Sequence, residues 1–384
     1  MKARYKGPWT AASTLVIAGF LTCVFLAFSA ASAGSSLEPE VQRFVKSCGA
    51  VFALWREAEA GESETYVDLE NRPAFRRYNV IRGDAIVGYL IAASESPGST
   101  GKLTLVEFGV STPPDVLLLP GTKEAAQQAV GSKMLLGTGR FMYTGFGQYF
   151  FCYDYSEGTR SVGTITIDAL TKKAVGGTLS PHYPDGLQAW QLQRAGENPE
   201  AGGRERFYAI PGVPQFKHHC TDQATAIGML FGYWAENGFP NLRRRLENGD
   251  RESNEQMVEV IAELCGTCSD RTAIELFASS RGYRARNHTH SLLPHRHLEQ
   301  MPYSRYASHI NDGIPLLITV GTPGIARYFT AVGYLQMEGE RFLVTLSASH
   351  DNTTSPHSRQ YVFLNWDAAF NDVLVTAILP EEAE

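Results

Sequence analysis

The chain has 384 residues, 43% hydrophobic and 19% charged, with 34 Lys and Arg against 40 Asp and Glu and a formal net charge of −6. That balance excludes a disordered or collagen-like chain, and it lacks the basic excess of a nucleic-acid binder. The first 33 residues hold Lys2, Arg4 and Lys6 and no acid, so without them the charge falls to −9, which argues against anionic polymers or lipid surfaces as partners.

Those first residues read as an export signal. Lys2, Arg4 and Lys6 precede an apolar centre from Leu15 to Phe28, and Ala31-Ser32-Ala33 supplies the small residues of a cleavage site before Gly34. The alternative is an uncleaved anchor, because Ala11 to Ala33 is long enough to span a bilayer. Both readings place Gly34 onward outside the cytoplasm, secreted or periplasmic. The remaining length buries roughly three quarters of its unfolded surface and suits about two domains.

The predicted elements begin with an amphipathic helix from Glu38 to about Arg56, where Val41, Phe44, Val45, Cys48, Phe52 and Trp55 recur at helical spacing. Phe75 to Ile81, Ala85 to Ala93 and Lys102 to Val110 are rich in β-branched and aromatic residues and read as an antiparallel meander. A helix over Lys123 to Val130 then precedes strands near Gln148 to Tyr155 and Gly163 to Asp168. Gly196 to Arg206 is charged, Gly-rich and free of large apolar residues, so it is the expected linker between a segment 34–195 and a segment 207–384. In the second segment, helices fit Asp222 to Glu236, Asn254 to Cys265, Arg271 to Gly282 and Pro302 to Asn311. Strands fit Leu316 to Val320, Tyr328 to Tyr334, Arg341 to Ala348, Arg359 to Phe363 and Val373 to Leu379. Helices followed by strands imply an α+β fold with an antiparallel sheet.

Cys48, Cys152, Cys220, Cys265 and Cys268 follow the signal, an odd number. In an exported chain the leftover thiol is a candidate nucleophile or an intermolecular partner. One partition joins Cys48 to Cys152 and Cys265 to Cys268, leaving Cys220 free. The C-x-x-C pair has no second half of a zinc site, so it reads as a small structural disulfide.

Cys220 directly precedes a helix on which Ala224, Ile227, Gly228 and Phe231 share one face. At a helix amino terminus, free N–H groups and the macrodipole favour thiolate, the nucleophilic form. Gln215, five residues upstream, is a candidate side-chain donor to an oxyanion, with the Cys220 N–H as the second donor. The plainer alternative is a buried cysteine at the start of a core helix.

Tyr208-Ala-Ile-Pro-Gly-Val-Pro214-Gln215, Cys220, Met229-Leu-Phe-Gly-Tyr233-Trp234 and Gly238-Phe-Pro-Asn-Leu242 follow one another here. Ala278-Ser-Ser-Arg-Gly282-Tyr283, Gly313-Ile-Pro315-Leu-Leu-Ile318 and Ala331-Val-Gly333-Tyr334 come next. In this order they resemble the papain-like cysteine peptidases related to the bacteriocin-processing, double-glycine leader peptidases, over roughly Tyr208 to Leu379. The resemblance implies a papain-like domain that hydrolyses peptide bonds, with Cys220 as nucleophile, Gln215 as oxyanion donor and Asp351 as the orienting residue. Two departures stand out. Thr221-Asp222 replaces the usual Gly-Pro after the nucleophile, and Arg327 occupies the position of the general-base histidine. A guanidinium with pKa above ~12 neither takes nor returns a proton. His350, beside Asp351, is the candidate substitute base. His218 and His219 are expected to line a groove, and His309 to pack or face solvent. Loss of the base implies a second reading, a non-catalytic relative that binds peptides or a cell surface.

His288, His290, His295 and His297 form two H-x-H pairs, a spacing that suits a transition metal. Pro294 breaks the run and no carboxylate lies inside it, so it reads as a solvated loop with no metal, the alternative being an extracellular metal-binding module. Asn287-His-Thr and Asn352-Thr-Thr fit the glycosylation sequon and suggest exposed loops. The amino-terminal pattern resembles the propeptide-like or inhibitory domains of exported papain-like peptidases. No cofactor is expected, and the expected partner is a peptide or protein.

Overall fold

A computed structural model describes residues 38–68, 71–93, 104–145, 147–175, 206–292, 297–321, 326–347, 361–368 and 373–383. The export signal, residues 196–205 of the expected linker, His295, His350, Asp351 and the Asn352 sequon lie outside them. Arg206, the last linker residue, begins a strand.

The first stretch runs α1 (Glu38–Val51), β1 (Glu59–Val67), β2 (Pro73–Arg82), β3 (Ala85–Ala93), β4 (Leu105–Gly109), α2 (Pro114–Leu117) and α3 (Thr122–Val130). It ends with β5 (Leu135–Leu136), β6 (Arg140–Tyr143), β7 (Tyr149–Glu157) and β8 (Arg160–Asp168). The second runs β9 (Arg206–Ala209), α4 (Asp222–Glu236), α5 (Asn254–Cys265), α6 (Asp270–Ser280), β10 (Tyr283–Ser291) and α7 (Tyr303–Asn311). After it come β11 (Leu316–Val320), β12 (Arg327–Met337), β13 (Glu340–Leu346), β14 (Tyr361–Asn365) and β15 (Val373–Glu382). The chain is mixed α+β, as the segregated patterns imply. Among the described residues, no helix is long and apolar enough to cross a membrane.

One largely antiparallel 15-stranded sheet threads both stretches, in the order β10-β15-β11-β12-β13-β14-β4-β3-β2-β1-β6-β7-β5, with β8 on β7 and β9 on β12. The join is β14 against β4, where Phe363 is registered opposite Phe108 and their rings stack at 4.2 Å. Helix α1 strengthens it by turning Val41, Phe44, Val45 and Cys48 inward. Phe44 meets Phe108 and Phe342, and the Cys48 thiol lies 3.4 Å from the Met337 sulfur. Asn365, fully buried, donates to the Leu105 carbonyl at 2.6 Å and to Glu340 at 2.9 Å. One core cluster therefore spans the two stretches.

Three sequence expectations need correction. Among the described residues no cysteine is in a disulfide, so neither the Cys48–Cys152 nor the Cys265–Cys268 bridge is present. Cys48 sits against Met337, whereas Cys152 belongs to a separate small cluster with Met142 and Phe150. The stretch holding His288 and His290 is not a loop but strand β10, paired along its length with β15. The Asn287 sequon is consequently on a strand, with the amide 3.3 Å from Glu275 of α6.

A candidate site around Cys220 and Arg327

Helix α4 carries the site. Its residues from Ala224 to Tyr233 are all buried, because it lies between β12 and α5 and so meets protein on both sides. Gly228 and Gly232 leave room for Phe216, since a Cβ at Gly232 would stand 2.8 Å from that ring. Thr221 is the N-cap, its hydroxyl accepting the Ala224 N–H at 3.1 Å.

Cys220 stands one residue outside that cap, with φ +60 in the left-handed region, and its side chain is exposed. The buried structural cysteine is thereby excluded. Desolvation, then the Glu259 carboxylate of α5, push the thiol above its ordinary value, against the direction expected of a thiolate at a helix amino terminus. The physical reason is positional. The cap hydroxyl takes the Ala224 N–H and the Thr221 carbonyl takes the Thr225 N–H, while a negative charge approaches from the neighbouring helix.

Arg327 opens β12 and is only 3% exposed. Its guanidinium donates to Asp168 at the end of β8 and lies 3.5 Å from Asp222, the first residue of α4. Asp222 in turn holds the His218 Nε2 at 3.1 Å. Asp168 also accepts the Leu170 and Thr171 N–H groups at 2.9 and 3.0 Å, which fixes its carboxylate. The next residue repeats the scheme: the Tyr328 hydroxyl donates to Asp270 at 3.0 Å, and Gln223 of α4 donates to the same carboxylate. Two acids thus clamp the start of β12 to the start of α4.

Gln215 is half-buried and donates through its side-chain amide to the Ser347 carbonyl at 3.0 Å. His219, next to Cys220, pairs through Nε2 with Glu259 at 3.0 Å. His309 of α7 lies instead near His288 and His290, and desolvation and Arg305 hold its imidazole below the ordinary value. Among the described residues no group of His, Cys, Asp or Glu could hold a metal ion. Cys265 is half-buried; burial, then Asp270 and Cys268, push its thiol up to about 12, so it is protonated at neutral pH.

Sequence reasoning missed Asp168, Glu107 and Gly147. Glu107 is fully buried and accepts from Tyr89 at 2.9 Å, Tyr143 at 2.8 Å, Tyr149, and the Gly147 N–H at 3.1 Å. That bond presses Gly147 against Phe329, two residues from Arg327; a Cβ there would lie 2.2 Å from the ring. The sequence signal available was Gly145-Phe-Gly147, a turn signature between two aromatic strands.

No protein-family model matches the chain, and no curated protein matches it.

Proposed function

We propose that the chain is an exported relative of the papain-like cysteine peptidases in which the Cys220 region binds a peptide or protein and hydrolyses it poorly or not at all. The observation that carries this reading is Arg327. Its guanidinium, at the position where the resemblance expects the general-base imidazole, is buried and held by Asp168 and Asp222. A base is worth about 10² to 10⁴ in rate, and a guanidinium between two carboxylates cannot serve as one. The raised Cys220 thiol and the Gln215 amide bonded to Ser347 point the same way. The helix α4 packed on an antiparallel sheet supports the papain-like reading of the fold.

The test is to incubate the mature protein with a mixed peptide library and read both retention and products by mass spectrometry. Retained peptides with no cleavage support the proposal. Cleavage that disappears in a Cys220→Ala variant would establish an active peptidase, and absence of retained peptide would remove the binding role.

A further inference from the structure

Strand β10, Tyr283–Ser291, contains Arg284, Arg286, His288 and His290 and not one Asp or Glu, in a chain whose net charge is −6. It is the terminal strand in the order of the sheet. One edge of β10 pairs with β15 from Tyr283 to Ser291; on the other, Ser291 is bridged to Gln300, its N–H donating to the Glu299 carbonyl at 3.1 Å and its carbonyl accepting the Met301 N–H at 2.9 Å, and among the described residues no strand pairs with the edge from Tyr283 to His290.

The two faces of β10 differ. Tyr283, Ala285, Asn287 and Thr289 lie on the face covered by α6, where Asn287 meets Glu275, and Thr289 reaches Thr376 of β15 at 3.0 Å. Arg284, Arg286 and His288 lie on the opposite face and are exposed. Glu381 of β15 engages Arg286 at 2.9 Å, and Glu299 engages Arg305 at 2.9 Å and lies 3.5 Å from His290. Arg284 and His288 stay exposed beside them.

We propose that the open edge of β10 takes an extended acidic peptide as an added strand. An unpaired edge offers a row of backbone donors and acceptors to any extended chain, and the side chains decide which chain is accepted. A second copy of β10 would set Arg opposite Arg, which is unfavourable; a strand with acids on alternate positions would pair with Arg284 and Arg286 across the ladder. The alternating geometry and the acidic net charge favour a peptide over a polyanion with continuous charge. This inference is independent of the chemistry at Cys220.

The test uses a fluorescein-labelled peptide of alternating Glu and Val, matched in length to β10, with the Lys and Val peptide as control. Saturable binding of the acidic peptide, with slowed amide exchange over residues 283–290, is expected. The Arg284→Glu/Arg286→Glu variant should bind about tenfold more weakly or worse, with Arg284→Gln/Arg286→Gln in between, which separates a charge effect from a folding defect. No saturable binding, equal binding of both peptides, unchanged affinity in both variants, or binding without protection at β10 would each overturn the proposal.

Discussion

Arg327 and Asp168, 159 positions apart in the chain, form an ion pair in which their side chains are 4% and 11% exposed. The pair ties the last residue of β8 to the first of β12, and through Asp222 to the helix that follows Cys220. At this point the amino-terminal stretch, the sheet and the candidate site meet.

Breaking this pair from one side leaves buried charge without a partner. Arg327→Met should therefore lower stability by about 3–5 kcal/mol in urea unfolding. Adding Asp168→Asn should recover part of that loss, because the orphaned carboxylate is then gone. Equal losses for the single and double variants would contradict the pairing.

Glu107 is the acceptor for three tyrosine hydroxyls and one backbone N–H. Glu107→Gln replaces an acceptor oxygen with a donor, so at least one hydroxyl loses its partner, and the cost should be roughly 2–3 kcal/mol. Gly147→Ala acts further along the same chain of contacts. It puts a Cβ at φ +66 into the Phe329 ring and should cost about 2–4 kcal/mol in the same measurement. If Gly147→Ala unfolded like wild type, the Glu107 turn would not press on β12.

His290 is 5% exposed, and burial, then Arg305, hold its imidazole below the ordinary value of 6.5, with His288 adding to them and Glu299 opposing. A folded-state pKa below the unfolded one means that the unfolded chain binds more protons between the two. The contribution is whole above about pH 6.5 and declines as pH falls from there to the folded pKa. The thermal midpoint should drop on acidification through this range, and less steeply in His290→Gln. Identical slopes would assign the decline to other groups.

Much of the second stretch was legible because its patterns are regular. Asp222–Glu236, Asn254–Cys265 and Leu316–Val320 end where apolar periodicity and capping residues place them. Strand β10 was not legible, since Arg and His alternate there with Asn and Thr and mimic a polar loop; its covered face is filled by α6, a tertiary effect. Strand β1 is written in Glu, Ser and Gly, and most of its residues are at the surface, so it carries little apolar alternation. In the site, Cys220 and Arg327 could be found from local motifs. Asp168 could not, because nothing around Thr166-Ile-Asp168 marks a partner 159 positions away. The upward push on the Cys220 thiol, from desolvation and then from Glu259, was not legible locally either, because Glu259 comes from a different helix.

The most direct test of the account is the pH dependence of Cys220 alkylation by iodoacetamide, followed by peptide mass mapping so that Cys265 and Cys268 are read separately. The rate should rise with pH and inflect above the ordinary thiol value of 9.0, with no reactive plateau near neutrality. A plateau extending below pH 7, lost when His219 or His350 is changed to Ala, would reveal a thiolate–imidazole pair and contradict the impaired-peptidase reading.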